Sequence, residues 1–481
     1  MLPKCDLFDS APALCQLGAE ELAERYSTGD VSPVEVAKAT IEQAFRVQES
    51  LNAFTFIDVE GAMKAAKSSE DRWRLGSPMS EVDGIPTTLK ELVWVDGWKV
   101  RFGSNASSEV PLKSDAPSVA LLRKSGVVFI GQTASPEFGW KTVTDSPIWG
   151  ATRNPWNRSK TPGGSSGGGA VAAAAGAGVF HLGTDAGGSI RIPASFTGIV
   201  GMKPTFARVP NYPPSGFFSL SHTGPMARTV DDVERMLRAM LGRDLNDWSQ
   251  RQGDALELMT HAVDISQLKV AFWSKPLAGP LDPEVERAVN ATLAELASYG
   301  AAIVPFDFPA MDVVSIFDRH WLSGAALKFA TLSEMERNLL DPGFHAAAER
   351  GSLLSATDLL DAQVSRARFG AAMDRLLCEV DVVISPATSI CAFDVGLEVP
   401  PDSAMKSWPE WSSFSYPLNL SGQPACVIPC DVLPNGLPIG IQIFGARGQD
   451  DRVLAIARAV EALIAERGLN TSNRMASTAA L

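Results

Sequence analysis

The chain has 481 residues, of which 45% are hydrophobic and 20% are charged, and its formal net charge is −13. An acidic chain repels phosphate backbones, and no lysine or arginine cluster offsets that charge, so the composition argues against a nucleic-acid partner. No apolar run approaches the roughly 20 residues that span a bilayer. Residues 1–10 contain acidic side chains and no apolar h-region, so they do not resemble a secretory signal. We therefore expect a cytoplasmic protein without a membrane partner.

The six cysteines and five histidines show no pattern of a disulfide framework or a metal site. Cys426 and Cys430 lie in an apolar stretch without a nearby histidine, so we predict buried thiols there. The histidines are scattered, at His181, His222, His261, His320 and His345. We predict no metal and no cofactor, and a catalytic serine in this chain has few histidines to use as a base.

Helices alternate with short apolar strands along the chain, which is typical of an α/β fold. Ser32, followed by Pro33 and Glu35, predicts a capping box that opens a helix over 33–46. Further elements follow in chain order: a helix over 117–124 ended by Gly126, a strand over 127–130, a helix capped by Thr229 and Asp232 that runs to about 241, a buried strand over 268–273, and a helix from Asp282 to near Gly300.

The stretch 307–380 differs from the rest of the chain. It is rich in helix-forming and aromatic residues and lacks a strand signal until 381–385, which predicts a helical insertion over the core. Beyond it the sequence predicts strands over 425–428 and 439–444, a helix over 450–466, and a flexible, small and polar tail over 468–481.

Residues 163–178, GGSSGGGAVAAAAGAG, form a low-complexity stretch that contains Ser165. A flexible linker is a poor interpretation, because the stretch turns into an alanine run that favours helix. Residues 163–167 formally match the G-x-S-x-G nucleophile elbow, but the preceding residues do not predict the buried strand that an elbow requires. A phosphate loop is disfavoured because no Lys-Ser or Lys-Thr pair follows the glycines. We interpret the stretch as a tight backbone site that feeds a helix.

Ser189 lies in a second small-residue loop, GTDAGGSIR over 183–191, between a predicted strand over 179–182 and a predicted helix. Its glycines permit a sharp turn in which several N–H groups converge and could hold an oxyanion. A serine in that position is placed to attack a carbonyl carbon. An N-cap serine on a glycine turn explains the same residues, so this loop alone leaves both interpretations open.

Lys90 ends a predicted strand, GIPTTLK over 84–90. An exposed lysine is the usual case at such a position. A lysine that acts as a base needs a pKa lowered by burial or by nearby positive charge.

Together, in this order and spacing, the three stretches resemble the amidase-signature family closely. The most specific parts are TPGGSSGGGAVAAA and GTDAGGSIRIPASFTGIVGMKPT. The resemblance continues through PEF (136–138), GATRNPW (150–156), GPMARTVDD (224–232), NLSGQPA (419–425) and GLPIGIQIFG (436–445), so it covers nearly the full chain.

The resemblance implies a Ser–Ser–Lys triad, with Ser189 as the nucleophile, Ser165 as the bridging serine and Lys90 as the base. The implied oxyanion hole consists of the backbone N–H groups of Ala186, Gly187, Gly188 and Ser189. The implied supporting residues are Gly164, which precedes Ser165 across a cis peptide, Ser166, Thr184, and the pair Asp185 and Arg191. Such a site would cleave amides through an acyl-enzyme.

The resemblance also implies the fold. We expect a single α/β domain over 1–481, with a central mixed, twisted β-sheet covered by helices on both faces. The catalytic core is expected within 60–210, and the helix-rich insertion over 307–380 is expected to line the substrate pocket.

Three positions depart from the family pattern. Glu91 follows Lys90 where aspartate is common, RFGS over 101–104 stands where Thr-x-Gly-Ser is frequent, and His181 stands where a small or apolar residue is usual. None of these removes a catalytic group. We expect them to change the hydrogen bonding around the site, and so the pKa of the lysine.

Members of the family act on fatty-acid amides, aryl acylamides, peptide C-terminal amides, malonamide, cyclic lactam oligomers and carbamates. For this chain we predict a neutral, largely apolar or aromatic small-molecule amide, since apolar side chains are expected near the mouth of the pocket. The predicted pocket residues are Phe138, Trp140, Ile192 and Trp321. Carbamates and esters undergo the same acyl chemistry and are further candidates. The chain is expected to be a monomer or a homodimer.

Two other functions stay open. Ser165 could serve a Ser–His–Asp esterase whose base is one of His222, His261, His320 and His345. Alternatively, the chain could be a silent or complex-forming subunit. One branch of the family is the glutaminase subunit of tRNA-dependent transamidases, but no stretch resembles that branch's glutamine-binding segments. The presence of all three triad positions argues against a silent protein.

Overall fold

An eleven-stranded sheet organises the part of the chain that the computed structural model describes, residues 5–250 and 263–466. The strands are β1 (Phe54–Ile57), β2 (Pro86–Lys90), β3 (Val128–Thr133), β4 (Asp145–Ser146), β5 (Gly150–Ala151), β6 (Phe180–Asp185), β7 (Val200–Lys203), β8 (His222–Ala227), β9 (Lys269–Phe272), β10 (Ala302–Pro305), β11 (Val382–Pro386), β12 (Ala425–Val432) and β13 (Pro438–Phe444). The helices are α1 (Asp6–Asp9), α2 (Ala19–Thr28), α3 (Pro33–Leu51), α4 (Val59–Arg74), α5 (Pro117–Lys124), α6 (Gly167–Ala174), α7 (Arg191–Thr197), α8 (Val230–Ala239), α9 (Pro283–Ser298), α10 (Val313–Ala330), α11 (Glu334–Arg337), α12 (Pro342–Ser352), α13 (Ala356–Leu377), α14 (Pro417–Ser421) and α15 (Asp450–Glu466).

The sheet is mixed, with the strand order β1-β3-β2-β6-β8-β7-β12-β13-β11-β9-β10. The runs β3-β2-β6 and β11-β9-β10 are parallel, and the other neighbours are antiparallel. Strands β4 and β5 form a separate small hairpin.

Helices cover the sheet, and strands β2, β3, β11 and β13 are buried along their whole length. A strand buried on both faces needs packing partners on both. Helices α3 and α4 pack against β3, α7 packs against β12 and β13, and α8 and α15 pack against β8 and β12. The predicted mixed α/β architecture is confirmed.

Individual elements follow the sequence where local signals are strong. The capping box is present: the N–H of Glu35 donates to the hydroxyl of Ser32, and the N–H of Ser32 donates to the Glu35 carboxylate. Helix α3 runs past its predicted end at 46, because Val47 and Leu51 continue its buried face. The last helix has its predicted bounds. The predicted tail over 468–481 lies outside the described residues.

Strand β3 differs from its prediction, since it extends to Thr133 rather than ending at 130. It pairs with β2 as far as Lys90 opposite Thr133, so a neighbouring strand sets its end. Cys426 and Cys430 are buried free thiols, as predicted. Among the described helices, none is both long and apolar enough to cross a membrane.

The stretch between β10 and β11 forms the four helices α10 to α13. Helix α10 packs against α12 and α13. One face of α10 lies beside the cavity described below, and Gly324 and Lys328 on that face line the cavity.

Strands β2 and β6 lie side by side and run parallel, with Leu89 opposite Leu182. Their carboxyl ends therefore lie at the same edge of the sheet, where ligands commonly bind in open α/β sheets. Lys90 ends β2, and Asp185 ends β6.

Candidate active site

Lys90 is a fully buried amine at this edge. Its Nζ lies 2.7 Å from Ser165 Oγ, 2.9 Å from Ser166 Oγ and 3.0 Å from Thr184 Oγ1. Burial lowers the pKa of Lys90 to about 7, while the charge of Asp185 opposes that change. Near neutral pH such a lysine is present in both protonation states, unlike an exposed lysine, and can take up a proton.

The loop that carries Ser165 is packed so closely that a side chain at Gly164 has no room. A Cβ there would lie 2.6 Å from the carbonyl carbon of Val143. The peptide between Gly164 and Ser165 is cis, as the family resemblance implied. Helix α6 begins directly after Ser166, and all of its residues are buried, which accounts for its small side chains.

Ser189 lies in the loop between β6 and α7 and lines the same cavity as Ser165. The two loops are joined by the N–H of Ser166, which donates to the carbonyl oxygen of Ser189 at 3.0 Å. In the described structure the hydroxyls of Ser165 and Ser189 are not hydrogen-bonded to each other, and the Lys90 amine donates to Ser165. Catalytic hydrogen bonds are often long in unliganded enzymes and tighten when substrate binds.

Asp185 and Arg191 form a fully buried ion pair, as predicted. Nη2 of Arg191 lies 2.9 Å from Oδ1 of Asp185, and Nε lies 3.0 Å from Oδ2. Burial by itself would raise the pKa of Asp185, but the charge of Arg191 and hydrogen bonds from Arg191 and Asn419 hold it below its ordinary value. The carboxylate therefore stays ionised and anchors the Ser189 loop.

Only some of the amide N–H groups of this loop have an acceptor among the described residues. The N–H of Gly188 donates to Oδ1 of Asp185 at 2.9 Å, so the prediction that it belongs to the oxyanion hole is wrong for this structure. The N–H groups of Ala186, Gly187 and Ser189 have no acceptor among the described residues. Of these three residues, Ala186 and Ser189 line the cavity.

Two residues far along the chain complete the anchor, and no role was predicted for them from the sequence. Asn419 donates to Oδ1 of Asp185 at 2.8 Å and accepts from Arg191 at 2.7 Å. Gln442 accepts from Nη1 of Arg191 at 2.7 Å. Both lie in stretches that carried the family resemblance, NLSGQPA and GLPIGIQIFG. These motifs could have drawn attention to Asn419 and Gln442, but the spacing of the motifs does not reveal that the two residues contact Asp185 and Arg191.

The cavity in front of the serines has a volume of about 310 Å³ and mostly apolar walls. Its lining includes Leu92, Val93, Trp94, Phe102, Phe138, Pro213, Pro214, Phe217 and Phe344, together with Ser165, Thr184, Ala186, Ser189 and Lys328.

Of the four predicted pocket residues, only Phe138 lines the cavity. Trp140, Ile192 and Trp321 are buried in the packing behind it, so their assignment to the lining is corrected. Trp140 packs against Phe344. Trp321 stacks on Phe217, with 3.9 Å between the ring centroids. Ile192 packs against glycines of the two serine loops. A large apolar residue next to a cavity serves the core as readily as the wall, and sequence does not separate the two.

Glu91 and the stretch 101–104, which both depart from the family pattern, contact each other. Oε1 of Glu91 accepts from the N–H of Arg101, and Oε2 accepts from the N–H of Gly103, each at 3.3 Å. Oε2 also accepts from the indole of Trp149 at 2.7 Å. Burial raises the pKa of Glu91 to about 7, and these hydrogen bonds oppose the rise. Glu91 thereby holds the loop that presents Phe102 to the cavity.

No described histidine is hydrogen-bonded to Ser165 or Ser189. Nδ1 of His222 faces the carbonyl oxygen of Leu220 at 2.8 Å, and Nδ1 of His181, the third departure, lies 2.8 Å from the hydroxyl of Thr88. Neither His320 nor His345 has a hydrogen bond with Ser165 or Ser189. His261 lies outside the described residues. A Ser–His–Asp arrangement around Ser165 therefore finds no support among the described histidines.

The model of the Amidase family matches residues 35–454. The chain belongs to the amidase-signature family.

Relatives within the amidase-signature family differ in activity. One subunit of the glutamyl-tRNA(Gln) amidotransferase of Myxococcus xanthus (strain DK1622) is 31% identical, over 93% of this chain and 97% of its own length. An acylamidase of Rhodococcus erythropolis is also 31% identical, over 93% of this chain and 95% of its own length. Identity therefore does not separate the two activities.

The fold of this amidase-signature chain is shared with a solved bacterial aryl acylamidase. The TM-score is 0.86 over 95% of this chain and 98% of the other, at 24% identity.

Proposed function

We propose that this member of the amidase-signature family hydrolyses the C–N bond of apolar or aromatic small-molecule amides through Ser189, Ser165 and Lys90. The observation that carries the proposal is the 2.7 Å contact between Nζ of Lys90 and Oγ of Ser165, next to a cavity that Ser189 also lines.

In the proposed mechanism the neutral amine of Lys90 accepts the proton of Ser165 Oγ as Ser165 accepts the proton of Ser189 Oγ. The oxygen of Ser189 attacks the carbonyl carbon of the amide. The resulting oxyanion is held by the N–H groups of Ala186, Gly187 and Ser189, and each such donor is worth about 3–4 kcal/mol in comparable sites.

The tetrahedral intermediate then collapses. The C–N bond breaks, and the leaving nitrogen takes a proton from Ser165, which is reprotonated by Lys90. Water attacks the acyl-enzyme, losing a proton by the same route, and releases the acid together with free Ser189.

The walls of the cavity support apolar or aromatic substrates. Phe102, Phe138, Phe217 and Phe344 present aromatic surface to it. Burial of a substrate ring against such walls is favourable. Aryl carbamates and esters fit the same chemistry, since they also form an acyl-enzyme and often have better leaving groups.

The second candidate is a glutaminase subunit of an amidotransferase, which the similarity to the Myxococcus xanthus protein favours. Glutamine carries an α-ammonium as well as an α-carboxylate. Among the described residues, the cavity lining includes no aspartate or glutamate to pair with that ammonium, which weighs against free glutamine as the substrate.

The test is hydrolysis by the purified protein of an aryl anilide, a linear fatty amide, a malonamide-type acid, an aryl carbamate and glutamine. Ser189→Ala is expected to abolish hydrolysis, and mass spectrometry of the trapped acyl-enzyme is expected to place the acyl group on Ser189. Ser68→Ala, on the exposed face of α4, is the matched control and should retain full activity.

Different outcomes separate the candidates. Activity that survives Ser189→Ala but is lost in Ser165→Ala would refute the nucleophile assignment. Hydrolysis of glutamine in preference to the other substrates would favour the amidotransferase function.

A further inference from the structure

One positive charge faces the cavity. Among the described residues that line it, Lys328 is the only one with a formal charge. Lys328 lies on α10, one helical turn after Gly324, which also lines the cavity. Residues four apart lie on the same face of a helix, so this face of α10 forms part of the wall.

Lys328 has no acidic partner at contact distance in the described part of the chain. The carboxylates whose charges act on it from further away are Glu336 and Glu137. Oε2 of Glu336 accepts two hydrogen bonds from Ser333. Oε2 of Glu137 accepts from the N–H of Asp341, and burial raises the pKa of Glu137 to about 7. Neither carboxylate is placed to satisfy the ammonium directly.

The aromatic wall holds the ammonium in position. Nζ of Lys328 lies 4.7 Å from the centroid of the Phe138 ring, which is a cation–π distance. The ring of Phe138 in turn packs against Phe344, with 5.2 Å between centroids. An ammonium has three N–H donors, and the ring face uses one direction only, so the remaining donors are available to a ligand.

We propose that Lys328 binds an anionic group, specifically a carboxylate, on the part of the substrate remote from the scissile bond. The proposal rests on the hydrolase function proposed above. It narrows the substrate class to amides with an apolar or aromatic body and a terminal acid, in place of the neutral amide that the sequence suggested. A half-buried ammonium beside apolar walls is stabilised by a charged partner, and a charge-assisted hydrogen bond to carboxylate is strong and directional.

Binding is measured first, because it does not depend on turnover. In a Ser189→Ala background, calorimetry compares acetanilide with two acids, 4-acetamidobenzoate and N-phenylsuccinamate, whose carboxylates lie on opposite sides of the amide. At least one acid should bind more tightly than acetanilide. Lys328→Met should weaken its binding about 10- to 100-fold, since hydrogen bonds to charged groups are worth about 1.5–3 kcal/mol.

Matched variants separate recognition from packing. Methionine keeps the apolar stem beside Phe138, so Lys328→Met should leave acetanilide binding unchanged, and Lys328→Arg should retain most of the acid binding. Lys64→Met, on the exposed face of α4, controls for the loss of one charge. With Ser189 present, Lys328→Met should raise the KM for the acid and leave kcat within about twofold.

Each outcome decides one of the two proposals. Acid binding that is no tighter than acetanilide binding, or that Lys328→Met leaves unchanged, would overturn the role of Lys328, as would equal losses for acid and neutral ligands. Selective acid binding by a protein that hydrolyses neither the two acids nor any member of the panel would keep the proposed role of Lys328 and refute the hydrolase function.

Discussion

Nη1 of Arg191 donates to Oε1 of Gln442 across 2.7 Å, although 251 positions separate the two residues in the chain. The same guanidinium donates to Asp185 and to Asn419. Strand β13 and helix α14 therefore hold the Ser189 loop through the side chain of Arg191.

Replacing Arg191 with methionine should destabilise the protein by about 3–5 kcal/mol, because it leaves the buried carboxylate of Asp185 without its cationic partner. Urea denaturation measures the change. Arg25→Ala removes an exposed arginine paired with Glu21 and should cost less than about 1 kcal/mol. Equal effects of the two substitutions would contradict the anchoring role of Arg191.

The pH dependence of hydrolysis should report Lys90. Because burial lowers the pKa of Lys90 to about 7, the base form is lost as pH falls below that value. With a non-ionising amide, kcat/KM should fall about tenfold per pH unit below the pKa and level off above it. A profile that stays flat between pH 5 and pH 9 would refute this assignment.

Lys90→Arg gives a sharper version of the same prediction. Arginine keeps the positive charge but does not release its proton in this pH range, so it cannot act as the base. We expect kcat to fall about 10²- to 10⁴-fold, the usual contribution of general base catalysis. Circular dichroism and the urea midpoint establish whether the variant is folded.

Glu91 should contribute a pH dependence to stability. Burial raises its pKa from 4.5 to about 7, so between those values the folded state retains a proton that the unfolded state has released. Stability from this group therefore falls as pH rises through that window, by at most about 1.4 kcal/mol per pH unit. Glu91→Gln has no proton to release and should lack this part of the slope.

Urea midpoints from pH 4.5 to 7.5 measure the difference between wild type and Glu91→Gln. Glu60→Gln, at an exposed position on α4, is the control. If the curves of wild type and Glu91→Gln run parallel, Glu91 does not titrate in this window.

Substitution by alanine should change the stability of the protein in opposite directions at two glycines. Gly188 has φ +120°, and a Cβ there would lie 2.6 Å from Cβ of Ser415. Gly188→Ala should destabilise by about 1–3 kcal/mol and lower kcat, since the loop that holds Ser189 must shift. Gly370 lies within α13 with no atom near its missing side chain, so Gly370→Ala should stabilise by about 0.5–1 kcal/mol and leave activity unchanged. Denaturation midpoints and steady-state kinetics test both.

The sequence predicted the helices whose ends are encoded locally. The capping box at Ser32 and the bounds of α15 depend on residues within a few positions of each other. The end of β3 was wrong because it depends on pairing with Lys90 in β2, a contact made only in the folded sheet.

The three polar side chains of the proposed site were identified by motif, and the fold brings them to one edge of the sheet. Lys90 and Ser165 are 75 positions apart and in contact. The burial that lowers the pKa of Lys90 comes from the whole surrounding fold, so no local pattern could show it. The partner of the Gly188 N–H likewise depends on the position of a folded neighbour. This N–H donates to the carboxylate of Asp185, whereas the sequence predicted that it belongs to the oxyanion hole.

The sequence by itself determined the family, the α/β class and the residue types of the proposed chemistry, because these depend on short motifs and on periodicity. Only the tertiary structure decided which apolar residues form the cavity wall and which pack behind it, as Phe138 and Trp140 show. It also decided that Lys328, on a helix far from every catalytic motif, is the one charge among the described cavity residues. The physical reason is that cavity walls and electrostatic partners arise from contacts between elements distant in the chain, which local patterns do not encode.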